Sequence, residues 1–87
     1  MPSIKFKYNG ETKKILVHKE PILYNDLLVQ SKELFPSLSG LGAVIICFVW
    51  YDEDGDKMRC NSDKEIEAAI SELKTLAFEI ELISVSL

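Results

Sequence analysis

Eleven residues from Gly40 to Trp50, GLGAVIICFVW, constrain the fold more than any other stretch. The run is about half the ~20 apolar residues that a membrane-crossing helix needs. Its Val, Ile and aromatic residues favour extended backbone, and it shows no polar–apolar alternation. A strand over Val44 to Tyr51 that is apolar on both sides must be covered on both faces, which places it inside a sheet rather than at an edge. The other segments then have to supply its neighbours and its cover.

They do so in a readable order. In SIKFKYNGETKKILV, Ile4, Phe6 and Tyr8 alternate with Lys5 and Lys7, the period of a half-buried strand. Asn9-Gly10 is a strong hairpin turn, because both residues tolerate positive φ. Lys14 to Val17 reads as the returning strand. PILYNDLLVQSKELF reads as a helix with Asn25 or a residue just before it at its cap. Leu27, Leu28, Leu34 and Phe35 supply its apolar stripe, and Pro36 and Gly40 end it. DEDGD is a turn, and Lys57 to Cys60 a short strand. SDKEIEAAISELK is the clearest helix: Ser62 and Glu65 make a capping box, and Ile66, Ala69, Ile70 and Leu73 form its apolar face. AFEIELISV alternates as a last strand. Trp50, Phe6, Phe48 and Phe78 are assigned to the core.

The order β-β-α-β-β-α-β predicts an α+β domain, a mixed sheet of about five strands with two helices on one face, as in the ubiquitin-like β-grasp. Eighty-seven residues suffice for one such domain over 1–87. Starting at Met1 and stopping just past the last strand, the chain reads as a domain cut from a longer protein. The N-terminal MPSIKFK lacks the apolar stretch of a secretory signal, so a cytoplasmic chain is expected. Cys47 and Cys60 lack CxxC spacing and the single His18 is remote in sequence. They read as buried or half-buried free thiols in a reducing compartment, not as a zinc site.

Charge is separated along the chain. Residues 1–20 carry five lysines against Glu11 and Glu20, a net +3. Residues 51–72 carry eight acids against Lys57, Arg59 and Lys64, a net −5. Such asymmetry points to electrostatic partners. Six of the acids crowd into YDEDGDKMRCNSDKE: Asp52, Glu53, Asp54, Asp56, Asp63 and Glu65.

The acidic stretch does not match a calcium loop. With Gly55 at the sixth position of an EF-hand loop, Asp52 and Asp54 fall on ligand positions. Trp50 and Asn61, however, take the first and twelfth, where carboxylates are required. No metal and no cofactor are expected. Paired carboxylates can also do acid–base chemistry, but that requires burial or a neighbour that separates their pKa values. A Gly-containing turn is normally solvated, and no nucleophile–base pair or phosphate-cradling loop accompanies it. His18 reads as an exposed residue at a strand end, and no enzymatic activity is expected. A sequence pI near 4.9, without interleaved basic and aromatic residues, argues against nucleic acid as a partner; none is expected, nor is a membrane partner.

YDEDGD followed by SDKEIEAAI resembles the acidic (OPCA) motif of the Phox/Bem, or PB-one, domain family, a β-grasp family of about this length. The resemblance covers essentially the whole chain. It implies that Asp52, Glu53, Asp54, Asp56, Asp63 and Glu65 form an acidic interaction face. The family's basic face opens with a lysine in the first strand. IKFKY matches it best at Lys7, with Lys5 as the other register, and TKKILV supplies Lys13 and Lys14 for the dibasic pair. Within the family, VWYDEDGD looks most like the sequestosome-type autophagy receptors and next most like the atypical protein kinase C domains. The implied function is a non-enzymatic interaction module that pairs head-to-tail with itself or with related domains, lysine face on acidic face. The rival is a β-grasp that binds a small GTPase, which needs a basic edge but has no use for the acidic turn. A ubiquitin-like modifier would normally end in Gly-Gly, and this chain ends SVSL.

Overall fold

A computed structural model describes residues 3–17, 20–42, 44–73 and 75–84. His18 lies outside the described residues. Five strands form one sheet: β1 (Ser3–Tyr8), β2 (Glu11–Leu16), β3 (Val44–Tyr51), β4 (Lys57–Cys60) and β5 (Leu76–Ser84). Two helices, α1 (Tyr24–Leu34) and α2 (Asp63–Glu72), follow β2 and β4. This is the expected β-grasp order. A five-residue 3₁₀ turn, Pro36–Gly40, adds to it, in the segment expected only to end the first helix.

The strand order across the sheet is β2-β1-β5-β3-β4. β1 and β5 run parallel at the centre and every other pair is antiparallel. Asn9 and Gly10, with φ of 50° and 82°, close the β1–β2 hairpin with both central residues at positive φ. The second strand thereby starts at Glu11, earlier than the apolar pattern alone suggests.

Both helices pack on one face of the sheet. Leu27 from α1 and Ile66 and Ala69 from α2 meet Ile4, Phe6, Ile46, Phe48, Trp50, Phe78 and Ile80. Phe48 is at the centre, with the rings of Phe6, Tyr24 and Phe78 at centroid distances of 5.7, 5.7 and 6.2 Å. Burial of a Phe or Leu side chain contributes about 1.5–3 kcal/mol, so this single layer carries most of the favourable term. As the unbroken apolar run implies, β3 is buried on both sides. Ile46, Phe48 and Trp50 face the helices, while Cys47 and Val49 are each 1% exposed on the opposite, outer face. There Glu79 and Glu81 of β5 and Arg59 of β4 flank them in register, and the stems of these long side chains roof the strand. Cys47 and Cys60 are free, buried thiols, and burial raises the pKa of both.

α1 begins just before Asn25, but without a side-chain cap of its own. Its N-cap position falls on Leu23, whose side chain has no acceptor. Two aspartates take over. The Asp26 carboxylate accepts from the Leu23 N–H at 3.3 Å, and Asp63, from the start of α2, accepts from the Tyr24 N–H at 2.8 Å.

Candidate interaction faces

The basic face begins with the two-residue period of β1. With Ile4 and Phe6 in the core, Lys5 and Lys7 must point outward, and both are exposed. The hairpin register sets Lys14 of β2 level with Lys5, and Thr12 level with Lys7. Lys5, Lys7 and Lys14 therefore share the outer face, two of them directly opposed. Like charges in that relation destabilise a hairpin by a few tenths of a kcal/mol.

Lys13 belongs elsewhere. It is level with Phe6, so it leaves the strand on the helix side. Its Nζ donates to the Leu34 carbonyl at 2.7 Å, at the C-terminal end of α1. It also lies 5.0 Å from the centroid of the Phe35 ring and 3.8 Å from Glu11 Oε2. A cation is favoured where unsatisfied helix carbonyls gather. The structure thus brings Lys7, Lys14 and Lys5 together and separates Lys13 from them.

The acidic residues divide in a similar way. Asp52 builds the turn. Its Oδ1 accepts from the N–H groups of Asp54 and Asp56 at 3.0 and 2.8 Å, while its own N–H donates to the Asp56 carbonyl at 3.1 Å. Gly55 takes φ of +80°, a conformation that strains any residue with a Cβ, and donates to the Asp52 carbonyl at 3.0 Å. With the backbone held this way, Glu53, Asp54 and Asp56 are exposed. One carboxylate oxygen from each of Asp52, Asp54 and Asp56 lies within 4.8 Å of the others. That is a concentrated negative focus, able to meet ammonium groups or, weakly, a divalent cation.

At the start of α2, Asp63 is committed to the first N–H of α1. Glu65 reaches back to accept from the Asn61 N–H at 3.0 Å and from the Ser62 hydroxyl at 2.9 Å, and Ser62 Oγ accepts from the Glu65 N–H at 3.4 Å. Asp63 thus ties the start of α2 to that of α1, while Glu65 closes the start of its own helix.

The two faces sit toward opposite edges of the sheet. Lysines decorate β2 and β1, the acidic turn joins β3 to β4, and β5 lies between. β5 carries two outward acids of its own, which were not assigned to either face from the sequence. Glu81 is paired with Lys57 and with Arg59, the latter at 2.8 Å, and these hydrogen bonds, Lys57 first, pull its carboxyl below the ordinary value of 4.5. Glu79 is exposed and level with Lys7. The strict alternation of FEIEL was the available signal for both.

A family model described as the PB1 domain matches residues 2–85. A search of curated protein sequences found no match. Among solved structures, 18 chains match. One of them, the AtNBR1 PB1 domain, superposes with a TM-score of 0.71 at 16% identity, covering 92% of this chain and 94% of that one.

Proposed function

The chain belongs to the PB1 domain family, whose members are protein–protein interaction modules that pair with other PB1 domains, and from that premise we propose that it assembles head-to-tail, the lysines of β1 and β2 docking on the acidic turn of the next copy or of a related domain. One observation carries this reading: two clusters of like charge, opposite in sign, are built toward opposite edges of one sheet. Each costs stability locally. Lys5 opposes Lys14, and three carboxylates converge within 4.8 Å. An oppositely charged partner relieves both costs at once.

Lys7 and Lys14, with Lys5 beside them, supply the basic face. Glu53, Asp54 and Asp56 supply the exposed carboxylates of the acidic face. Asp52 shapes the turn that presents them, and Asp63 and Glu65 add field from the helix start. Isolated surface pairs contribute only about 0.2–1 kcal/mol. Close, partly desolvated interfacial pairs couple at about 1.5–7 kcal/mol, enough for specific pairing. Because the two faces are different surfaces, the contact is heterologous and propagates into a filament or ring rather than closing as a twofold dimer. Such a module suits a cytoplasmic scaffold of the autophagy-receptor kind.

Light scattering across concentration and salt tests the proposal. Mass should rise with concentration and fall between 0.15 and 1 M salt, as the Debye length shrinks from about 8 to 3 Å. Lys7→Ala and Asp54→Ala should each reduce self-association, and mixing the two variants should restore a dimer. Folded variants whose mixture stays monomeric would rule the two-face contact out.

A further inference from the structure

We propose that Glu79 attenuates the basic face and thereby sets how tightly it holds an acidic partner, an inference that rests on the head-to-tail reading above. In the parallel pairing of β1 with β5, Lys7 is level with Glu79. The same pairing sets Ile4 beside Leu76 and Phe6 beside Phe78, all buried, so the alternate residues Lys7 and Glu79 share the outer face. Neighbouring strands lie about 4.8 Å apart, well within reach of a lysine and a glutamate side chain. Both residues are exposed and line one shallow groove with Lys5, Thr12 and Tyr51, over Ala77.

The outward cations of β4 are directed away from Glu79. Lys57 and Arg59 both engage Glu81, two residues further along β5. The cation nearest in register to Glu79 is therefore Lys7, the lysine that matches the family's key basic position. The consequence for docking is twofold. The Lys7 ammonium that meets an incoming carboxylate is also attracted by Glu79, level with it on the adjacent strand. Once seated, that carboxylate also lies near the Glu79 charge, one strand from Lys7. Both effects lower affinity, and both fall most heavily on a partner offering a single carboxylate. A turn that presents Asp54 and Asp56 together keeps a second acid for Lys5 or Lys14. Glu79 thus selects for clustered acids while moderating the strength of the contact.

Two single-face chains isolate this effect. One carries Asp54→Ala and Asp56→Ala and keeps the basic face; the other carries Lys7→Ala and keeps the acidic face. Their affinity for each other is measured by titration calorimetry at low salt. Glu79→Gln in the basic-face chain should tighten binding about two- to fivefold, the range of one exposed ion pair, and Glu79→Lys should tighten it further. The gain should shrink at 1 M salt. In the acidic-face chain, Glu79→Gln should leave affinity unchanged. Binding that Glu79→Gln leaves unaltered, or weakens because the carboxylate holds Lys7 in its docking position, overturns this inference alone. Two single-face chains that do not bind each other overturn the head-to-tail reading and this inference with it. Unfolding midpoints of the Glu79 variants confirm that the fold is retained.

Discussion

The turn at 52–56 and the helix start at 62–65 are both short, acidic and Gly- or Ser-punctuated, yet they use their carboxylates differently. In the turn, one acid works for the backbone: Asp52 takes the N–H groups of Asp54 and Asp56, which leaves the side chains of Glu53, Asp54 and Asp56 exposed. At the helix start both acids work for the backbone. Asp63 caps α1 across the domain, and Glu65 closes the start of its own helix. A carboxylate near a helix N-terminus is drawn to unsatisfied N–H groups, whereas a glycine turn has few such donors and one acceptor satisfies them. On the head-to-tail proposal, acidity alone therefore does not mark an interaction residue. What matters is which carboxylates remain once the backbone has been satisfied.

The largest separation is expected between these two groups. Asp54→Ala with Asp56→Ala should weaken assembly by more than about tenfold, since each close pair lost is worth at least about 1.5 kcal/mol. The unfolding free energy should stay within about 0.5 kcal/mol. Ser62→Ala with Asp63→Ala should do the reverse. Each removes a helix cap worth about 1 kcal/mol, visible in urea denaturation, with a lesser effect on assembly. If the helix pair abolished assembly at unchanged stability, the division drawn between the two stretches would collapse.

A smaller effect separates two adjacent lysines. Lys13→Ala should lower stability by about 1 kcal/mol, through the lost hydrogen bond to Leu34, while leaving association within about twofold. Lys14→Ala should weaken association severalfold and leave stability unchanged or raised by a few tenths of a kcal/mol, because Lys5 loses its like-charged neighbour. Calorimetric binding and denaturation of the two variants, side by side, decide between these roles.

The smallest concerns Glu81, an acid assigned to neither face. The carboxyl of Glu81 is depressed below 4.5 by Lys57 and then Arg59. A depressed folded-state pKa means that the folded chain binds this proton more weakly than the unfolded chain does. The stabilisation is therefore complete above about pH 4.5 and is lost as pH falls through the folded value. The stability difference between wild type and Glu81→Gln should be flat from pH 7 to 5 and narrow below that. A difference that widened on acidification would contradict the assigned cause.

Much of this was legible in the residues themselves. The alternation in IKFKY, the Asn-Gly turn, the unbroken run into Trp50 and the Ser62–Glu65 box each encode a local geometry, because strand and helix periods and turn chemistry act over a few residues. They determined the element order, the core aromatics, the buried thiols and the outward direction of Lys5 and Lys7. Register and distant contacts were not legible. That Lys14 joins Lys7 while Lys13 turns inward depends on which residue stands level with Phe6. That α1 can begin after Leu23, which has no side-chain acceptor, depends on Asp63, which takes the Tyr24 N–H from 39 residues further along the chain. That Glu79 stands beside Lys7 depends on β5 entering the sheet parallel to β1. Local pattern decides which way a side chain leaves its own strand; only the folded sheet decides what charge it finds next to it, since that neighbour comes from a segment whose position in sequence carries no record of the pairing.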